Sequence, residues 1–312
     1  MINQEIKKLR YLFKEQAIDG YVVPKNDEFF SEFSKIDRLK IISNFSGSAG
    51  YAVLLKNKNY LFVDGRYTVQ AQIESGKNFI ITNYNKIVNC NLFKNLTLGI
   101  NPKLFTSNQI KKFFQRNNKI KLIKTDLVKK DSKKNFNYSK PFFSLDERIV
   151  GESHKKKINK VTTFLKKSKS NFIFITASEN IAWLLNIRGY DNPNSPIPNC
   201  HLLLDSKKNI YLIADKRKTK NLIKEKKIKA HQVVDSNNFQ LLIKKLNGSK
   251  IIIDSKTCSL FYENILKAKF KIINKEDPIY MLKAIKNKKE IKNMINTHVS
   301  DGLALTKFLY WI

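Results

Sequence analysis

One local pattern occurs twice in this chain, and an internal repeat restricts the available folds more than any bulk property does. In the first copy, within Ile41–Arg66, a glycine turn Gly47–Gly50 (GSAG) leads into an apolar strand, Tyr51–Leu55. A turn at Lys56–Asn59 and a return strand Tyr60–Val63 follow, closed by Asp64–Gly65. In the second copy, Leu185–Gly189 precedes a strand His201–Leu204, a turn Asp205–Asn209, a strand Ile210–Ala214 and Asp215. Each copy reads Asn, an apolar or aromatic residue, one further residue, Gly, an apolar strand, a basic turn, a second strand containing Tyr-Leu, and Asp. Two related α/β domains in tandem are therefore expected.

The flanking periodicity fits that plan. Ile6, Leu9, Leu12 and Phe13 lie at helical spacing and predict an amphipathic helix over Ile2–Gln16, feeding a strand Tyr21–Val23 that Pro24 stops. The charged segment from Pro24 to Leu39 reads as loop and short helix. After the first copy come a helix Tyr67–Ser75, strands Phe79–Ile81 and Leu98–Ile100, a helix Thr106–Gln115 and a strand Lys119–Ile123. The polar, basic run Asp126–Pro141 marks a boundary. This gives a first domain over 1–128, a linker over 129–141, a second domain over 142–277, and a remainder over 278–312. In the second domain, one long basic helix is predicted over Arg148–Lys167, then a strand Phe172–Thr176. Thr176 and Glu179 have capping-box spacing for a helix running through Trp183–Leu185. The proline-rich loop Asp191–Asn199 interrupts the repeat. Beyond it are predicted helices around Leu222–Lys227, Phe239–Leu246 and Ser259–Ala268, and strands Gln232–Val234, Ile251–Ile253 and Lys271–Ile273. From Lys286 a long helix carries a broad apolar face and reaches Trp311–Ile312 in mid-pattern. The expectation is the first helix of a third domain that these residues do not contain.

A length of 312 residues suits two ordinary cores, and 42% hydrophobic with 11% aromatic content excludes a disordered chain. No window approaches 18 uninterrupted apolar residues, and the N-terminus lacks the pattern of a secretory leader. Cys90, Cys200 and Cys258 form no CxxC pair, which suits a reducing cytoplasm. The net charge of +33 invites a nucleic-acid reading, yet the lysines spread over every helix and turn rather than forming one stripe.

Candidate chemistry is sparse. His154, His201, His231 and His298 form no metal-ligand spacing. His298 and Asp301 lie one helical turn apart, a spacing shared by a catalytic pair and a plain intrahelical hydrogen bond. Ser46 and Ser48 flank Gly47, but FSGSAG is not a GxSxG elbow, and GSAG lacks both the lysine of a phosphate loop and dinucleotide glycine spacing. Gly47 and Gly50 read as a tight turn. Asp64, Gly65 and Arg66 make either a turn with its own ion pair or an interface and substrate-edge element. Arg188, beside Gly189 and Trp183, has the same two readings, since Arg with an aromatic is a common interface pairing. Asp191 is placed to hold its loop.

The segments Ser43–Gln72 (SNFSGSAGYAVLLKNKNYLFVDGRYTVQAQ), Asn180–Asp191 (NIAWLLNIRGYD) and Ala284–Ile312 resemble, in order, three motifs of the aminopeptidase P group of the creatinase/prolidase family. The resemblance implies two non-catalytic domains of ribonuclease-H-like α/β topology, with mixed sheets flanked by helices, then the opening helix of a pita-bread catalytic domain. It implies removal of an N-terminal residue that precedes proline, by two divalent ions, commonly manganese, held by two Asp, one His and two Glu. None of those ligands maps onto this chain, so catalytic and metal-binding residues here are none. What maps is the turn Gly47–Gly50, then Asp64, Gly65 and Arg66, and Trp183, Asn186, Arg188, Gly189 and Asp191. A further family segment, Asp-x-His-x-Ser-Glu-Tyr, is matched by Asp27, Ser31 and Glu32 but has Phe29 and Phe33 in place of its His and Tyr. The resemblance also implies a homodimer in which the N-terminal domains narrow the active-site entrance. Residues 1–312 are thus expected to be an oligomerisation and substrate-gating part, cytoplasmic and inactive alone. The rivals are a basic nucleic-acid-binding adaptor and a standalone protein-interaction module.

Overall fold

The computed structural model describes residues 2–31, 33–34, 36–87, 92–128 and 140–312. Glu32, Cys90 and the expected linker, apart from Lys140 and Pro141, lie outside them. The chain forms two units, one of Met1–Tyr138 with Ser255–Ala268, the other of Ser139–Asp254 with Lys269–Ile312.

In the first unit, α1 (Ile2–Glu15) turns Ile6, Leu9 and Phe13 inward at helical spacing. After it come β1 (Gly20–Pro24), α2 (Arg38–Ser43), β2 (Gly50–Leu55), β3 (Asn59–Val63), α3 (Thr68–Ser75), β4 (Ile80–Asn83), β5 (Thr97–Ile100), α4 (Ser107–Phe113) and β6 (Lys119–Leu122). The strands join in the order β4-β3-β2-β1-β5-β6. The pairs β1–β2 and β2–β3 are antiparallel, and the remaining pairs are parallel. Successive strand residues point to opposite faces. Tyr21, Val23, Ala52, Leu54, Leu61 and Val63 pack with side chains of α1, α2 and α3. Val22, Tyr51, Val53, Tyr60 and Phe62 pack on the other side with Phe105 and with Ile110 of α4. Covered on both faces, the central strands read as continuous apolar runs.

In the second unit, β7 (Phe143–Ser144), α5 (Glu147–Val150), α6 (His154–Lys167), β8 (Phe172–Ile175), α7 (Ser178–Leu185) and β9 (Ile187–Arg188) come first. Next are β10 (His201–Asp205), β11 (Ile210–Ile213), α8 (Lys220–Lys224), β12 (Val233–Val234), α9 (Phe239–Lys245) and β13 (Lys250–Ile253). The main sheet has the order β12-β11-β10-β8-β13-β14, with β14 at Lys271–Asn274. This is the order of the first sheet strand for strand, with the same parallel and antiparallel pairs. The repeat in the sequence is therefore a repeat of the whole mixed sheet. One face packs Ile173, Leu202, Leu204 and Leu212 against Val161, Leu165 and Ile181 of α6 and α7. On the other face Phe174 meets Phe239 of α9 at 5.0 Å between ring centres.

Several elements differ from expectation. The single helix expected over Arg148–Lys167 is two, because Gly151 adopts φ +76° and caps α5 through its N–H on the Glu147 carbonyl. Ser153 then opens α6 by accepting from the Lys156 N–H. The capping box expected from Thr176 and Glu179 does not form, since α7 starts from Ala177 without a side-chain cap. The strands β7 and β9 pair antiparallel, Phe143 with Arg188 and Ser144 with Ile187, and are too short to carry periodicity. Helix α10 (Leu260–Lys267) groups with the first unit, where Leu260 and Phe261 N–H groups donate to the carbonyls of Phe105 and Pro102. The second unit ends with α11 (Ile279–Ala284) and α12 (Lys288–Trp311). An Asn287–Glu290 capping box starts α12, and its apolar side chains from Ile291 to Leu309 are exposed in this chain.

Candidate functional site

The GSAG turn and the Asp64 end of β3 border one cleft of the first unit, about 300 Å³, whose walls include Lys25, Asn26, Ser48, Tyr51 and Tyr84. Gly50 stands against the Phe62 carbonyl, where a Cβ would come to 2.9 Å, so the turn lets backbone pass close to β3. Gly47 lies over the Phe45 ring. A Cβ on Gly65 would meet nothing within 4 Å. Asp64 caps the short 3-10 turn Gly65–Tyr67, accepting from the Arg66 N–H and from Arg66 Nε, both at 3.0 Å. Those side-chain and backbone hydrogen bonds hold its carboxyl below the usual carboxylate range. Asp215 repeats the device at the end of β11, accepting from Arg217 N–H and Nε at 2.9 and 3.0 Å. Asp-x-Arg at matching ends of both copies gives Asp64 and Arg66 a turn-capping duty. The second copy has Lys216 where the first has Gly65.

A second pocket, about 410 Å³, lies within the second unit and gathers Trp183, Asn186 and Arg188. Helix α7 ends on Asn186, which adopts the left-handed conformation at φ 53°. Its side chain then spans two elements, donating to the Glu152 carbonyl at 2.8 Å and accepting from Lys157 Nζ at 2.7 Å. Lys157, on α6, is 1% exposed. It also donates to the Trp183 carbonyl at 3.0 Å and lies 4.0 Å from the centre of a Trp183 ring. Burial brings its ammonium down to about 8, against the pull of Glu290 and Glu152. The Trp183 indole N–H donates to Glu290 Oε1 at 3.0 Å. Pairing with β7 fixes Arg188, whose Nη1 donates to the carbonyls of Ala182 and Ile187 at 3.2 and 2.8 Å.

Asp191 is not among the residues of this pocket. Its carboxylate accepts from the Asn199 N–H at 2.7 Å and pairs with Lys218, pinning both ends of the proline-rich loop. Gly189 lies beneath that loop, where a Cβ would come to 2.8 Å from Pro198 Cα. Lys157 and Glu290 escaped sequence reasoning. The first carries a readable signal, a lysine on the Lys157–Val161–Leu165 stripe that is otherwise apolar. The second carries another, the Asn-x-x-Glu spacing of a capping box.

His154 stays neutral, since burial and neighbouring lysines bring its pKa down to about 4. Cys200 and Cys258 are buried thiols. Among the described residues no group of three or more His, Cys, Asp or Glu is placed to hold a metal ion. The dinuclear set that the resemblance implies therefore does not fit these residues. No helix among them is long and apolar enough to cross a membrane.

Comparison with known proteins bears on both units. Residues 5–130 and residues 133–290 each match a profile of the creatinase/prolidase N-terminal domain. Xaa-Pro aminopeptidase 1 of Dictyostelium discoideum is 28% identical, over 100% of this chain and 53% of that protein. Aminopeptidase P2 of Arabidopsis thaliana is 28% identical over 100% of this chain and 51% of that protein. The solved structure of X-prolyl aminopeptidase from Caenorhabditis elegans, described as a cytosolic enzyme with a di-nuclear active site, has a TM-score of 0.85 at 23% identity. It is matched over 100% of this chain and 56% of its own. The chain thus spans about half the length of the curated relatives it matches.

Proposed function

Since the chain belongs to the creatinase/prolidase N-terminal domain family, we propose that it is the two-domain, non-catalytic part of an Xaa-Pro aminopeptidase. In this reading the two units pair with a second copy of the chain and border the approach of the peptide to a metal centre. The two divalent ions, manganese by family resemblance, are held by residues other than these. When bound, such ions supply hydroxide and stabilise a developing oxyanion. The proposal gives this chain a cytoplasmic setting and no hydrolysis of its own. One observation carries it: the match runs end to end through both units, and the relatives concerned, an Xaa-Pro aminopeptidase and an aminopeptidase P, are about twice as long.

The test is an assay of the purified 312-residue chain with an Xaa-Pro peptide and manganese. The expected result is no release of the first residue above buffer. Release that depends on manganese and stops with a chelator would falsify the reading.

A further inference from the structure

The pocket beside Trp183 has a charge arrangement that its structural duties leave unused. Four cationic side chains border it, Lys157, Arg188, Lys283 and Lys286, against a single carboxylate, Glu290. Both oxygens of that carboxylate are engaged, Oε1 by the Trp183 indole and Oε2 by the Asn287 N–H at 2.9 Å. Lys157 and Arg188 spend their hydrogen bonds on neutral acceptors, carbonyl and amide oxygens. Burial lowers the proton affinity of both, in Lys157 against the opposing pull of Glu290 and Glu152.

Geometry narrows the ligand further. Arg188 uses only Nη1, so Nε and Nη2 donate to no protein group among the described residues. These two atoms form the side-on edge of the guanidinium, whose parallel N–H bonds match the two oxygens of a carboxylate. The lining also includes the apolar side chains of Leu145, Ile149, Val150, Ala284 and Met294. A volume of about 410 Å³ lies within the range of small-ligand pockets.

We infer that this pocket is a binding site for a carboxylate carried on a short apolar group, with Arg188 gripping the carboxylate side-on and Leu145, Ile149 and Met294 receiving the apolar part. The carboxylate belongs either to a free small acid or to the C-terminal residue of a peptide. The site is independent of the proposed function, because its argument uses no metal, no second copy and no catalytic step.

Trp183 reports on the site once the exposed Trp311 is replaced, so the experiment uses the full chain carrying Trp311→Phe. Hexanoate is titrated at constant ionic strength while indole fluorescence is followed, with hexanamide as the neutral isostere. Saturable binding of hexanoate at least ~10-fold tighter than of hexanamide is expected, since charge-assisted bidentate bonds are strong. Arg188→Gln is expected to lose ~10-fold or more, and Arg188→Lys, which keeps the charge but not the fork, to recover only part. Equal binding of hexanoate and hexanamide overturns the site, as does a response that chloride alone reproduces. Undiminished binding by Arg188→Gln overturns it too. If that variant does not fold, the comparison of the two ligands on the parent chain decides. N-acetyl-alanyl-leucine and its C-terminal amide separate the sources. Tighter binding of the free-acid peptide than of hexanoate assigns a peptide terminus, and the reverse order assigns a small free acid. Failure here leaves the proposed function untouched, since the assay for that function does not involve Arg188.

Discussion

Asp64 and Asp215 sit at matching ends of the two copies and each folds an arginine two residues on back against itself. The residue between them bears no steric load in the first copy, so Gly65→Ala is expected to change stability by less than ~0.5 kcal/mol. Gly189→Ala forces a Cβ onto the backbone of Pro198 and is expected to cost ~1–3 kcal/mol. Urea melts of the two variants, compared with the parent chain, check the contrast. Asp277 sets a second residue-scale expectation. It is buried, accepts from Asn180 Nδ2 at 2.7 Å and from the Ile279 N–H at 2.9 Å, and donates its own N–H to Asp254. Burial, with the Asp254 charge adding to it, pushes its carboxyl up to about 6. In the unfolded chain an Asp titrates near ~4, so between the two values the folded protein holds more proton. The contribution is fully present below ~4 and is lost as pH rises through about 6. Asp277→Asn removes it, so the parent chain should gain up to roughly 2–3 kcal/mol relative to the variant between pH 7 and pH 4. Parallel stability curves for the two proteins would sink this assignment. At this scale Arg188 stands out in the sequence because it lies in the repeat, and Trp183 because it precedes the repeat by two residues. Lys157 does not, because one lysine among many on a basic helix reads as surface until its stripe is compared with Val161 and Leu165.

Elements with several apolar positions declared themselves in the sequence. Helix α1 and the strands β1, β2, β3, β10 and β11 fall within a residue or two of their predicted bounds. What stayed hidden depends on partners far along the chain. The strands β7 and β9 have two residues each and exist only by pairing with one another. The break between α5 and α6 rests on one glycine in a left-handed conformation, which the basic run that follows it conceals. Caps are intermediate. Thr106 accepts from the Gln109 N–H and its own N–H donates to Gln109 Oε1, a complete capping box on α4. Thr106→Ala is expected to cost about 1–2 kcal/mol and Thr106→Ser much less, measured by thermal or urea unfolding. An equal loss in both variants would assign the effect to packing of the buried methyl group instead.

At the scale of the molecule the charge of +33 is the dominant property. Lysines are spread over both units, and the pairs they make at the surface are solvent-screened. Binding to heparin or duplex DNA is therefore expected at low salt and is expected to vanish between ~50 and 200 mM. A sequence-specific complex that survives ~0.3 M salt would favour the adaptor reading over the aminopeptidase one. The proposed pairing of two copies predicts a sedimenting species of twice the chain mass, and a strictly monomeric chain at working concentration counts against it. The two sheets, finally, share one strand order, and neighbouring units of one topology are prone to exchange strands while folding. Their side-chain volumes oppose that exchange. The first sheet is filled on one face by the rings of Tyr51, Tyr60 and Phe62, while Leu203, Tyr211 and Ile213 occupy the neighbouring strands of the second. A strand that strayed into the wrong sheet would leave holes or collide, so the divergence of the copies steers each half of a nascent chain to its own partners.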